Sequence, residues 1–95
     1  MHTYEVELTD TFAGEANYSW ARRTKVKMPE LTHYGYDGNS NYGRANKVFT
    51  RELMRRAKAS VGMTGVRGVT SSLQDGWEFR PYRQCVVMFV TYCDE

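Results

Sequence analysis

Five cations recur in the middle of the chain at helical spacing. Arg44, Lys47, Arg51, Arg55 and Lys58 are separated by 3, 4, 4 and 3 residues, which sets them on one face of a helix. Such a face offers guanidinium and ammonium groups to phosphates or to an acidic protein surface. The solvated back of an ordinary amphipathic helix mixes signs, whereas here only Glu52 lies close, beside the stripe. A second cluster precedes it, in the stretch from Thr32 to Gly43. His33, Tyr34, Tyr36 and Tyr42 are set there among glycines and asparagines. Binding loops favour Tyr, Gly, Asn and Ser, because a tyrosine gives contact area at small entropic cost. Its ring can also stack on an unpaired base. The competing reading is a long turn whose tyrosines pack back on the sheet.

Other chemistry is poorly supported. His33 with Asp37 is too thin for an acid–base pair, and no serine or cysteine has the flanking motif of a nucleophile. Two histidines and two distant cysteines do not make a zinc site. Gly62, Gly65 and Gly68 follow the helical stretch, whereas a phosphate loop precedes its helix. The expectation is a protein that is not an enzyme, with no catalytic residues, no cofactor and no metal.

The elements that must position these residues follow from hydrophobic period. Thr3 to Thr9 alternates, with Tyr4, Val6 and Leu8 on one face and Glu5, Glu7 and Thr9 on the other, as in a half-buried strand. Asp10 to Ala16 reads as a turn or loop. Asn17 to Met28 alternates again: Tyr18, Trp20, Thr24, Val26 and Met28 share a face that Arg22 interrupts, and Ser19, Arg23, Lys25 and Lys27 share the other. A hairpin of these two strands sets glutamates beside cations, at about 0.2–1 kcal/mol per pair. Pro29 ends it. Leu31 to Gly43 reads as a loop. Arg44 to Ser60 is a helix with the apolar stripe Ala45, Val48, Phe49, Leu53 and Ala57; Ser40 or Asn41 caps its start and Gly62 its end. Glu52 and Arg56 form an i,i+4 pair. Met63 to Ser72 reads as an irregular strand or extended loop. Gln74-Asp75-Gly76 is a turn, Trp77 to Arg80 a short strand, and Pro81 to Arg83 another turn. Gln84 to Tyr92 is apolar on both parities, as befits a central strand covered on both faces. The fold class is α+β: an antiparallel sheet of about four strands in the order β-β-α-β-β, with one helix packed across one face.

At 95 residues the chain fits a single domain spanning 1–95, and its 41% hydrophobic content suffices for one core. That core is modest, which leaves room for a partner or a homodimer to supply part of the stability. No run of about 18 apolar residues could span a membrane, and Met1 to Asp10 lacks the basic start and apolar stretch of a secretory signal. Cys85 and Cys93 would lie roughly 26 Å apart on one strand at about 3.3 Å per residue, too far to bridge. They read as reduced, buried core thiols, which suits a cytoplasm. Asn17-Tyr18-Ser19 matches the glycosylation pattern, by chance on this reading. The net charge of +2 hides an asymmetry. Residues 1–20 carry four acids and no Lys or Arg; residues 21–70 carry eleven cations against Glu30, Asp37 and Glu52; residues 71–95 are again acidic on balance.

The stretches Ala16-Asn17-Tyr18-Ser19-Trp20, Leu31 through Ala45, and Trp77-Glu78-Phe79-Arg80-Pro81-Tyr82 resemble small accessory proteins encoded by tailed bacteriophages. That resemblance implies a context: stoichiometric binding to host enzymes or defence systems, including as anti-CRISPR proteins, in the host cell cytoplasm. Many anti-defence proteins of this size are acidic mimics of nucleic acid, and the basic middle of this chain departs from that pattern. An inhibitor of this kind would occupy a site and would not imitate DNA. The leading expectation is therefore a binding protein that engages a host protein or complex through the basic helix and the tyrosine loop. A nucleic-acid-binding protein using the same surface is the second reading, and a sponge that sequesters a nucleotide between tyrosines the third.

Overall fold

A computed structural model describes residues 2–38 and 41–93. Five strands and one long helix follow one another as β1 (His2–Phe12), β2 (Glu15–Met28), α1 (Tyr42–Ser60), β3 (Gly68–Ser72), β4 (Gly76–Pro81) and β5 (Val86–Cys93). A short 3-10 helix, Leu31–Tyr34, lies between β2 and α1. The strands form one antiparallel sheet in the order β2-β1-β5-β4-β3. The class is α+β with α1 on one face, as expected.

The strand count is five, and the chain order after the helix is β-β-β. The correction lies in the stretch from Met63 to Ser72, whose second half is the regular strand β3. β3 pairs with β4 alone, and all of its residues except the half-buried Gly68 are exposed. A strand with no buried face leaves no period-2 signature.

Elsewhere period and position agree. Tyr4, Val6 and Leu8 are buried, opposite Tyr92, Val90 and Met88 of β5. β5 is the middle strand, and Val87, Met88 and Val90 are fully enclosed on both of its faces. Leu53 and Ala57 of α1 close the core over Val6, Met28, Met88 and Val90, with Phe49 and Met54 beside them. Gly62 just beyond the helix has φ 79° and donates its N–H to the Ala59 carbonyl, the left-handed turn that ends helices. Asn41 stands at the start of α1 without capping it through its side chain; Ser40 lies outside the described residues. Leu73 donates to the Gly76 carbonyl and closes the 74–76 turn.

The face away from the helix carries the expected charge ladder. Glu5 is opposite Lys25 and Glu7 opposite Arg23, with Arg23 Nε 2.8 Å from Glu7. Tyr18 departs from its expected face. The register shifts between Thr9 and Thr11, Tyr18 takes φ 56°, and its hydroxyl donates to Glu7 at 2.7 Å. This bulge bends the hairpin over the sheet until Arg80 of β4 reaches the Gly14 carbonyl at 2.7 Å. Thr9 ties the bend by donating to the Trp20 carbonyl and accepting the Tyr18 N–H, each at 3.0 Å. Cys85 is exposed and Cys93 half-buried, so neither is the enclosed core thiol expected; both are free.

Asp10 fixes the same bend. It accepts from the Ser19 hydroxyl, Asn17 Nδ2 and the Ser19 N–H, which hold its carboxyl well below the usual carboxylate range. Glu52 is lowered to about 2 by its hydrogen bonds with Arg55 and Arg56. Both folded values lie below the unfolded ones, so both groups stabilise the fold above the ordinary carboxylate range and cease to do so as pH falls through the folded values. Denaturant midpoints should hold level above about pH 5 and fall steadily below about pH 4. In Glu52→Gln the fall should be shallower, and an unaltered acid slope would show that the pair contributes nothing.

Candidate functional site

The register of the sheet gathers rings at one end. Tyr4 of β1 and Tyr92 of β5 are direct partners, with ring centroids 5.6 Å apart, and Trp77 of β4 lies 6.0 Å from Tyr4. Alternation puts all three on the helix side. Phe49 descends from α1 to meet Tyr4 at 6.0 Å. Asn41 holds the preceding segment against the helix start: its Nδ2 donates to the Gly35 carbonyl and its Oδ1 accepts the Asp37 N–H. Tyr36 is thereby set edge-on to Tyr42 at 5.7 Å. Between these walls lies a cleft of about 580 Å³, completed by His2, Glu30, Leu31, Thr32 and Asn46. A second depression of about 370 Å³, floored by Ser72, Leu73, Gln74 and Asp75, shares Tyr4, Tyr42, Asn46, Trp77 and Tyr92 with it. The two form one groove.

The groove's polar groups are few. His2 Nδ1 lies 3.2 Å from the Tyr92 hydroxyl, and its Nε2 lies 3.6 Å from Glu30. Glu30 and Asp75 are the carboxylates, and no Lys or Arg lines either part among the described residues. Burial, with a smaller contribution from Tyr92, pushes the Tyr4 hydroxyl upward, so it stays protonated and can donate. Chemically the groove suits a flat or cationic group laid against rings, since aromatic faces attract cations within about 6 Å.

The tyrosine loop is divided. Tyr36 and Tyr42 line the groove. Tyr34 is half-buried and packs edge-on to Phe49 at 5.8 Å, and His33 is exposed against Tyr34 at 5.1 Å, outside the groove.

The basic stripe also divides. Arg44, Lys47 and Arg51 are exposed and have no carboxylate partner among the described residues. Arg55 instead forks onto Glu52 through two bonds of 2.6 and 2.7 Å. Lys58 turns inward: its Nζ donates to the Val66 carbonyl at 3.1 Å and lies 4.9 Å from the centre of the Phe79 ring. Three of the five cations therefore stand without an ion-pair partner among the described residues, and two are held by intramolecular contacts. The three sit on the side of α1 away from the groove.

His2, Tyr4, Glu30, Asn46, Phe49, Trp77 and Tyr92 were not foreseen. The available signal was a ring near the same end of three different strands. Among the described residues no group of three or more His, Cys, Asp and Glu side chains could hold a metal, and no helix is long and apolar enough to cross a membrane. Comparison with protein-family models, with curated proteins and with solved structures finds no match.

Proposed function

We propose that this protein is a non-enzymatic binding protein that engages a partner protein stoichiometrically, in the manner of a phage-encoded inhibitor acting in its host's cytoplasm. The observation that carries this reading is the groove, with its walls of Tyr4, Tyr36, Tyr42, Trp77 and Tyr92. Tyr42 and Tyr92 stand half-exposed there, Tyr36 and Trp77 less so, above the buried Tyr4. Tyrosine and tryptophan are enriched among the residues that dominate binding energy at protein interfaces. The carboxylates of Glu30 and Asp75 favour an arginine, lysine or aromatic side chain as the inserted group. They disfavour a nucleotide, whose phosphates would find no cation in the groove.

The test uses the tagged full chain to recover its partner from host lysate, beside two variants. Tyr42→Ala with Tyr92→Ala removes two half-exposed rings and should leave folding intact. It should weaken capture by about tenfold or more. Arg44→Glu with Arg51→Glu should change capture only slightly. The opposite pattern would move the contact to the helix.

A second reading rests on Arg44, Lys47 and Arg51, three exposed cations without carboxylate partners. On this reading the helix binds nucleic-acid phosphates. Three phosphate contacts give affinity for duplex DNA a slope of about −2.7 in log K against log salt. A flat salt dependence would dismiss it.

A further inference from the structure

The two edges of the sheet are treated differently. β2 is guarded: Arg56 donates to the Lys27 carbonyl at 2.7 Å, Arg22 reaches the Val61 carbonyl at 2.9 Å, and Arg23, Lys25 and Lys27 stand along it. Charge and cover of this kind are how edge strands avoid pairing with other chains. β3 has neither. Its sequence Gly68-Val69-Thr70-Ser71-Ser72 holds no charge and no proline, and its pairing with β4 runs without a bulge. Val69 is 52% exposed.

The free backbone groups can be assigned. Arg67 and Leu73 turn their polar groups toward β4, through Tyr82 N–H to the Arg67 carbonyl and Leu73 N–H to the Gly76 carbonyl. Alternation then puts Val69 and Ser71 toward β4 as well, and aims the N–H and C=O of Gly68, Thr70 and Ser72 outward. We infer that this edge pairs with β3 of a second copy, antiparallel about a two-fold axis at Thr70, to make a continuous sheet across the dimer. Under that axis Thr70 faces Thr70 of the other copy and Gly68 faces its Ser72, so every outward donor meets an outward acceptor. Threonine opposite threonine is a favourable cross-strand pair.

Charge selects a second copy as the occupant. Arg67 precedes the strand and Asp75 follows it, both exposed and both without an ion-pair partner among the described residues. Antiparallel pairing brings the basic flank of each copy to the acidic flank of the other, twice. A parallel arrangement would set like beside like.

Sedimentation equilibrium of the full chain, from about 1 µM to about 1 mM, should show a reversible monomer–dimer equilibrium. Thr70→Pro removes only an outward N–H, which an edge strand tolerates. It should lower the association constant by about tenfold or more with an unchanged melting temperature in dilute solution, since both bonds of the central pair lose their donor. Should that variant not fold, the flanking charges decide. Arg67→Asp and Asp75→Arg should each weaken the dimer several-fold, and the two together should restore it. A wild-type chain that stays monomeric throughout overturns the inference. So does a folded Thr70→Pro that dimerises like the parent, or a double reversal that fails to restore.

Discussion

Gly76→Ala should cost about 3 kcal/mol or more, the upper end of what overpacking usually costs. A Cβ at this position would lie 2.0 Å from the Val90 carbonyl oxygen and 3.0 Å from the Thr91 Cα. Both atoms are β5 backbone, so no side chain can swing aside and β4 must separate from the central strand. Elsewhere such a substitution stabilises by about 0.4–1 kcal/mol through the unfolded chain, so the sign itself is diagnostic. Gly43→Ala is the control: it lies in the first turn of α1 with nothing within 4 Å of the added atom. Thermal unfolding should place Gly76→Ala about 12–24 °C below the parent, with Gly43→Ala at or above it. Equal melting temperatures for parent and Gly76→Ala would show that β4 does not sit against β5 as described. Because Trp77 follows directly, the groove should lose a wall at the same time.

Leu53→Ala should cost about 2–5 kcal/mol. Leu53 is fully enclosed at the centre of α1, where it shares the core with Val6 of β1 and Met88 and Val90 of β5. Shortening it removes apolar contact and leaves a void that close-packed neighbours fill only in part. Val48→Ala, on the same helix but 41% exposed, should stay within about 0.5 kcal/mol. Urea titration separates the two, and the Leu53→Ala midpoint should move without a change in slope. Comparable effects at both positions would place the helix on the sheet by a different face.

Much of this fold could be read from the chain because burial is strongly one-sided in β1 and α1 and two-sided in β5. Tyr4, Val6 and Leu8 announced their face, and Val86 to Val90 announced enclosure. The hairpin tip and β3 could not be read in this way. Tyr18 crosses to the charged face through a positive φ that no hydrophobic pattern encodes. β3 spends its side chains on solvent. The groove was legible only at Tyr36 and Tyr42, where rings on a glycine-rich segment stand out. Tyr4, Trp77 and Tyr92 looked like ordinary strand residues, and only the β1–β5 and β4–β5 registers bring them together. The basic stripe was legible in its spacing but not in its partners, for a local reason. Helical spacing gives direction but not reach, so it could not foresee that Glu52 would take Arg55 or that Lys58 would bend to Val66.

The pairing of β1 with β5 also governs how the chain acquires its structure. Thr3 is opposite Cys93, so β1 must wait for β5, which is synthesised about 90 residues later. At about 5–20 residues per second the delay is roughly 5–20 s. For that interval the hairpin of β1 and β2 is a two-stranded ribbon, marginal by itself, with Val6 and Leu8 uncovered. Its charged face, Glu7 with Arg23 and Glu5 opposite Lys25, keeps the waiting ribbon in solution on one side only. The other side is a nascent-chain hazard that closes when α1 and β5 emerge. Non-local closure of this kind places the protein among the slower folders of its size.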